Sequence, residues 1–121
     1  MELKRLNVNL TVCKVKDYSK VNFDDEFLFI GKTDEENSLV CNTKYTPSNT
    51  TEVENGWLGF RIQGVLDFSL IGILAEIASL LASNNISIYA ISTFNTDYIL
   101  LKEAVYEKAL SILSQNNYSI I

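Results

Sequence analysis

The chain is 121 residues long, carries a formal net charge of −5, and contains two cysteines and no histidine. No cluster of Lys and Arg supplies the basic face that binding to a phosphate backbone requires, so we expect no nucleic acid as a partner. The missing histidine removes Ser-His and Cys-His nucleophile pairs, and two cysteines cannot form a Cys₄ zinc site, so we expect no metal.

The apolar content is that of an ordinary globular protein. Hydrophobic residues make up 47% of the chain, and no run reaches the roughly 18 consecutive apolar residues of a membrane span. Residues 1–5 carry positive charge but lack the apolar segment of a signal peptide. We therefore expect a cytoplasmic protein without membrane contact, in which Cys13 and Cys41 are buried free thiols.

The first half is predicted to contain three strands and little helix. Residues 6–15 alternate apolar and polar side chains, which is typical of a half-buried strand, with Thr11 on the face opposite the apolar residues. Residues 26–33 and 38–42 favour two more strands, joined by a charged turn. The polar segment 43–56 holds the only proline and is predicted to be a loop that ends this half, in which residues 51–53 could form a brief strand.

The second half has a clearer pattern. A strand is predicted over 57–63, an apolar helix over 70–83 and a second helix over 103–116. Three further strands lie between and after the helices, at 86–92, 97–102 and 118–121. This order predicts an α+β fold of the ferredoxin-like βαββαβ type, with a mainly antiparallel sheet and both helices on one face.

The turn before the apolar helix, residues 64–72, is the candidate site. Gly64 lets the backbone turn without a Cβ clash. Asp67 and Ser69 are residue types that accept hydrogen bonds from the free N–H groups of a helix's first turn. Those N–H groups also suit a small anion such as a carboxylate. Two interpretations stay open: a well-capped connection that serves only the fold, or a ligand site.

Two segments resemble a known family. The run 64–72, Gly-Val-Leu-Asp-Phe-Ser-Leu-Ile-Gly, resembles the strand-to-helix turn of ACT domains, and residues 88–101 resemble the hairpin that follows it. Together they are similar to small tandem-ACT proteins, a mostly bacterial branch related to the regulatory domains of aspartate kinases and to eukaryotic cytosolic arginine sensors. The resemblance implies two domains: an ACT domain at 57–121 and, at 1–56, a degenerate ACT-like half with shortened helices and no glycine turn.

The resemblance also implies a function and a site. ACT domains bind amino acids or similar small metabolites, usually at an interface between ACT units, and do not catalyse reactions. The chain would then be a sensor or regulatory protein that binds a free amino acid, forms a homodimer, needs no cofactor and regulates a separate protein. The implied ligand-binding residues are Gly64, Val65, Leu66, Asp67, Phe68, Ser69, Ile91, Ser92 and Thr93. Backbone N–H groups would hold the ligand carboxylate, and Asp67 would hold the ammonium group.

A second class of function stays open beside the sensor. The chain could keep the ACT shape for protein–protein assembly and bind no metabolite. The two classes differ in whether the turn 64–72 is open to a ligand or filled by its own side chains. The acidic runs 24–26 and 34–36 lack the spaced oxygen ligands and turn glycine of a calcium loop, and they predict solvated turns.

Overall fold

The computed structural model describes residues 1–63 and 72–121. Its strands are β1 (Glu2–Arg5), β2 (Leu10–Val15), β3 (Phe29–Lys32), β4 (Asn37–Asn42), β5 (Thr50–Gln63), β6 (Tyr89–Ser92), β7 (Asp97–Lys102) and β8 (Ser119–Ile120). Its helices are α1 (Ile73–Ala82) and α2 (Glu103–Gln115), and short 3₁₀ turns span Tyr18–Lys20 and Thr43–Tyr45. Within the two described ranges, neither helix is long and apolar enough to cross a membrane.

The elements form two compact units. The main unit comprises Met1–Asn7 and Leu58–Ile121, and the inserted unit comprises Val8–Trp57. The predicted division into 1–56 and 57–121 differs from these units at the start of the chain. The first residues belong to the main unit because β1 pairs with the end of β5, where Leu3 lies opposite Ile62. The predicted division instead groups residues 1–7 with the first half.

The main unit has the predicted ferredoxin-like arrangement with one added strand. Its sheet runs in the order β6-β7-β5-β1-β8. The predicted βαββαβ elements supply β5, β6, β7 and β8, and β1 lies between β5 and β8. It is antiparallel to β5 and parallel to β8. The α+β class and the ferredoxin-like topology are therefore confirmed.

The core of the main unit lies between the sheet and both helices. Its buried residues are Leu3, Phe60, Ile62, Ile77, Leu81, Ile86, Ile99, Leu101, Tyr106, Ala109, Leu110, Leu113 and Tyr118. Burying each large apolar side chain contributes about 1.5–3 kcal/mol. The hydroxyl of Tyr106 also donates a hydrogen bond to the carbonyl oxygen of Gly59 at 2.6 Å, which fixes α2 to β5. Arg5 stacks on the ring of Tyr106 and pairs with Glu107 at the edge of this core.

Strand β5 is longer than predicted. The sequence predicts a loop at 43–56 with at most a brief strand at 51–53, but the strand begins at Thr50 and continues through Gly56. Its register with β2 shifts between Leu10 and Val12, so that two residues of β5 face one of β2. Gly56 has a φ of 83°, the left-handed conformation that suits such a bulge. Gly56, at the predicted boundary between residues 1–56 and 57–121, therefore lies inside a continuous strand.

The inserted unit, all of whose residues are described, is a four-stranded sheet with the order β3-β4-β2-β5. Its pairs are antiparallel throughout. The buried residues Cys13, Val15, Leu39 and Cys41 form its core, and Tyr18 from the first 3₁₀ turn packs against them. The unit contains no α-helix, in agreement with the prediction of strands and little helix in the first half.

Candidate functional site

Six of the nine predicted ligand-binding residues lie outside the described ranges. These are Gly64, Val65, Leu66, Asp67, Phe68 and Ser69. Their proposed roles stay predictions. The structure describes the two ends of the 64–71 segment, namely the end of β5 and the start of α1, together with the hairpin of β6 and β7.

The start of α1 is set by a glycine in a left-handed conformation. Gly72 is the N-terminal cap of the helix, with a φ of 87°. Its carbonyl oxygen accepts the N–H of Glu76 at 2.8 Å, which closes the first helical turn. The predicted start at Leu70 lies outside the described residues, and the described helix begins at Ile73, directly after the left-handed Gly72. The first N–H groups of α1 are thus presented directly after Gly72, in the manner that suits a carboxylate.

We expect Gly72→Ala to destabilise the folded state by about 1–2 kcal/mol, the cost of holding an L-residue in the left-handed conformation. Steric contact with the described residues should add nothing, because an added Cβ meets none of their atoms within 4 Å. Denaturant unfolding measures the loss. The matched control is Gly31→Ala, at an exposed glycine whose added Cβ would be 3.9 Å from Ser38. Equal stability of the two variants would contradict the conformational explanation.

The β6–β7 hairpin ends in a tightly bonded turn. The N–H of Thr93 donates to the carbonyl oxygen of Thr96 at 2.9 Å. The hydroxyl of Thr93 donates to the same oxygen at 2.8 Å, and it accepts the N–H of Thr96 at 3.3 Å. These bonds occupy the Thr93 hydroxyl within the turn. A direct role for this side chain in holding a ligand would therefore compete with the turn itself.

The remaining two predicted residues point to opposite faces of the sheet. Side chains alternate along a strand, so neighbouring Ile91 and Ser92 cannot line the same wall with their side chains. Ile91 lies opposite Tyr98. Ser92 shares its face with Ala90, which pairs with the core residue Ile99. Ser92 is therefore on the face that carries the helices, the side to which the chain crosses after β5.

The structure adds Asp97 to the candidate site. Asp97 lies directly opposite Ser92 in the hairpin, and the Ser92 hydroxyl donates to its Oδ1 at 2.6 Å. Between described residues, the ion pairs are Arg5–Glu107 and Lys14–Glu52, and neither includes this carboxylate. A carboxylate oriented by a hydroxyl group can accept an ammonium group. The signal in the sequence was the hairpin spacing, since residues that flank a four-residue turn face each other.

The hairpin lies at the same end of the sheet as the end of β5. The Thr96 hydroxyl donates to the carbonyl oxygen of Ile62 at 2.7 Å, a buried hydrogen bond. Ile62 stands one residue before the end of β5, and the chain continues from Gln63 into the predicted turn. The Nε of Arg61 donates to Oε1 of Gln63 at 3.0 Å. Ser92 and Asp97 therefore lie near the point where the predicted binding turn begins.

The two cysteines lie in the core of the inserted unit. Both are free and buried. Burial raises the pKa of Cys41 to about 12 and also raises the pKa of Cys13. A thiol with a raised pKa is mostly protonated near neutral pH and is a poor nucleophile. In the described ranges, no group of three or more Cys, Asp or Glu side chains is placed to hold a metal ion.

Solved structures with this fold come from several bacteria. A protein of Agobacterium tumefaciens is 29% identical over 99% of this chain and 91% of that chain, with a TM-score of 0.86. A Vibrio cholerae protein of unknown function, described as a possible transport protein, is 16% identical over 94% of this chain and 88% of that chain, with a TM-score of 0.70. The ligand-free regulatory subunit of aspartate kinase from Thermus thermophilus is 11% identical over 93% and 95%, with a TM-score of 0.64. No curated protein matches the sequence.

The family follows from the sequence match. The sequence profile of the ACT domain matches residues 52–115, which is more than half of the 121-residue chain. The matched region contains most of β5 and all of α1, β6, β7 and α2. It therefore includes the described parts of the candidate site. The chain belongs to the ACT domain family.

Proposed function

We propose that the protein is a small-molecule regulatory protein that binds a free amino acid and catalyses no reaction. The observation that carries this proposal is the position of Asp97 and Ser92, joined at 2.6 Å, at the end of the sheet where β5 leads into the 64–71 segment. An amino acid needs an acceptor for its ammonium group and donors for its carboxylate. Asp97 can supply the first, and backbone N–H groups before and at the start of α1 can supply the second.

The proposed ligand site combines the sequence prediction with the described geometry. Residues Gly64 to Ser69 form one wall through their backbone, and the hairpin side chain of Ser92 with Asp97 forms the other. Asp67 and Asp97 then compete for the role of ammonium acceptor. Ile91 and Thr93 contribute through backbone groups, because the side chain of Ile91 faces the other side of the sheet and the hydroxyl of Thr93 is used within the turn.

The remaining features of the proposal come from the family resemblance. The regulatory subunit of aspartate kinase shares the fold, which supports a regulatory role for this chain. We propose that the protein is cytoplasmic, that it forms a homodimer, that its target is a separate protein, and that residues 1–56 are a degenerate second ACT-like half. A relation to the arginine sensors would make basic amino acids the first ligands to test.

The alternative is an ACT-shaped interaction module without a metabolite. One observation favours it: Phe94, at the tip of the hairpin turn, is fully exposed at 105%. An apolar ring in this position suits contact with another protein. In that case the hairpin would bind a macromolecule, and free amino acids would leave the protein unchanged.

We expect at least one of the twenty amino acids, at millimolar concentration, to raise the melting temperature of the purified protein. At about 100 times Kd the ligand stabilises the folded state by about 2.7 kcal/mol. For a domain of this size the melting temperature then rises by several degrees. If no amino acid moves the transition, the interaction module is the better conclusion.

We expect Asp97→Asn to abolish most of this ligand-dependent shift, because the amide keeps the shape of the side chain but loses the charge that attracts the ammonium group. Asp67→Ala tests the competing acceptor in the same assay. The control is Asp34→Asn, which removes the charge of an exposed carboxylate in the turn between β3 and β4 of the inserted unit. A shift that survives in Asp97→Asn and disappears in Asp67→Ala would assign the ammonium group to Asp67.

A further inference from the structure

The turn residue Thr96 differs from its neighbours in burial. Phe94 and Asn95 are exposed, whereas Thr96 is only 8% exposed. Its backbone closes the hairpin turn through Thr93, and its hydroxyl leaves the turn to reach the carbonyl oxygen of Ile62 at 2.7 Å. The ladder of β7 begins at Asp97, so this side-chain bond joins the hairpin to β5 just outside the ladder.

The acceptor of this hydrogen bond, the carbonyl oxygen of Ile62, belongs to a buried residue near the end of β5. Ile62 is 1% exposed, so its carbonyl oxygen is in a region where a lost hydrogen bond is costly. The residue is one position from the end of β5, immediately before the predicted binding turn. Thr96 is also the sequence neighbour of Asp97, whose carboxylate Ser92 orients. The Thr96 side chain thus connects the hairpin that carries Asp97 to the end of β5.

We propose that Thr96 is a positioning residue that holds the Ser92–Asp97 pair at a fixed place relative to the end of β5. This inference rests on the proposed function and deepens it. Thr96 does not contact the ligand, because its hydroxyl is buried and already donates to Ile62. It acts by fixing the hairpin that carries the proposed ammonium acceptor, Asp97, to the end of β5. Small displacements of such groups are expensive in binding, because charge-assisted hydrogen bonds depend on geometry.

The test compares three variants. Thr96→Val keeps the shape and removes the hydroxyl, and Thr96→Ser restores a hydroxyl. Tyr106→Phe is the matched control, because it also removes a buried hydroxyl that donates to a β5 carbonyl oxygen, that of Gly59 at 2.6 Å. The control acts on the same strand and the same unit, but away from the hairpin turn.

With the amino acid that stabilises the wild-type protein, we expect Thr96→Val to raise Kd about tenfold, the ratio that matches about one lost hydrogen bond. Thr96→Ser should restore most of the affinity. Tyr106→Phe should lower the melting temperature as much as Thr96→Val does and leave Kd close to the wild-type value. Equal Kd for Thr96→Val and wild type would overturn the proposal, and so would an equal loss of affinity in Tyr106→Phe.

A ligand-free measurement separates this proposal from the proposed function. The Thr93 N–H donates to the carbonyl oxygen of Thr96, so its hydrogen exchange reports whether the hairpin turn is held in place. By NMR we expect this amide to exchange about tenfold faster in Thr96→Val than in wild type, and no faster in Tyr106→Phe. An unchanged rate in Thr96→Val would reject the positioning role even if no amino acid binds. A faster rate with no amino acid bound would keep it and reject only the ligand.

Discussion

Replacing Gly59 by alanine is expected to cost about 1–3 kcal/mol of folding stability, the range for overpacking a well-packed core. A Cβ at this position would lie 2.6 Å from Cδ2 of Leu100, 3.3 Å from the carbonyl oxygen of Ile99 and 3.3 Å from Cδ1 of Leu6. Leu100 is fully buried and Leu6 is 5% exposed, so neither side chain can turn into open space. Against a total stability of about 5–15 kcal/mol, such a loss is large.

A double-mutant cycle distinguishes this clash from a general effect of the substitution. Leu100→Ala alone should cost about 2–5 kcal/mol, because it leaves a cavity. In the Gly59→Ala/Leu100→Ala variant the new methyl group enters that cavity, so the combined loss should be smaller than the sum of the single losses. Denaturant unfolding at one temperature gives all three values. Additive losses would show that Leu100 is not the side chain that excludes a Cβ at Gly59.

The protein is expected to lose stability steeply above about pH 10, where tyrosine in an unfolded chain ionises. Burial raises the pKa of Tyr118, and the hydrogen bond that its hydroxyl donates to Glu76 at 2.6 Å raises it further. Burial also raises the pKa of Tyr106. Both hydroxyls therefore stay protonated in the folded state when the unfolded chain has lost those protons.

The sign of the effect follows from proton binding. Above about pH 10 the folded state binds more protons than the unfolded state, so rising pH favours unfolding by about 1.4 kcal/mol per pH unit for each tyrosine. Below that pH, the contribution is fully present. Tyr118 alone should remove about 1 kcal/mol between about pH 10 and 11, and Tyr106 acts in the same direction.

Chemical unfolding at pH 8, 10 and 11 measures this loss. Tyr118→Phe and Tyr106→Phe should each flatten the alkaline decline, although each also removes a hydrogen bond that is present at pH 8. Tyr45→Phe is the control, because the Tyr45 side chain is 38% exposed. A decline as steep in Tyr118→Phe as in the wild type would rule out the Tyr118 hydroxyl as its source.

Apolar periodicity predicted the elements that bury one face against a single core. The strand at 97–102 and the helix from Glu103 are confirmed, and the order of elements in the main unit was correct. Prediction failed where long-range pairing decides the structure. Strand β1 contains the charged residues Lys4 and Arg5, and only its pairing with β5 and β8 makes it a strand. The face of β2 predicted to be polar is buried, because Cys13 packs in the core of the inserted unit. The buried Thr11 hydroxyl on this face forms hydrogen bonds with Thr43 and Asn55 at 2.8 Å each.

The candidate site could also be predicted only in part. The segment could be found from glycine, aspartate and serine chemistry, and both the segment and the hairpin from the family resemblance. Asp97 was missed although the hairpin spacing places it opposite Ser92, because its importance depends on that partner and on the bond between Thr96 and Ile62. Single positions in a strand carry little information until their register is known.

The insertion of β1 between β5 and β8 has a consequence for the speed of folding. Leu3 pairs with Ile62 on one side and with Ile120 on the other, so the main sheet closes only when both ends of the chain meet. Such contacts give a high contact order, and loop closure over long distances must precede the gain from pairing. The inserted unit, whose strands pair over shorter separations, can form first during synthesis. Strand β1 can pair with β5 once about half of the chain exists, but its second partner, β8, follows almost 60 residues later.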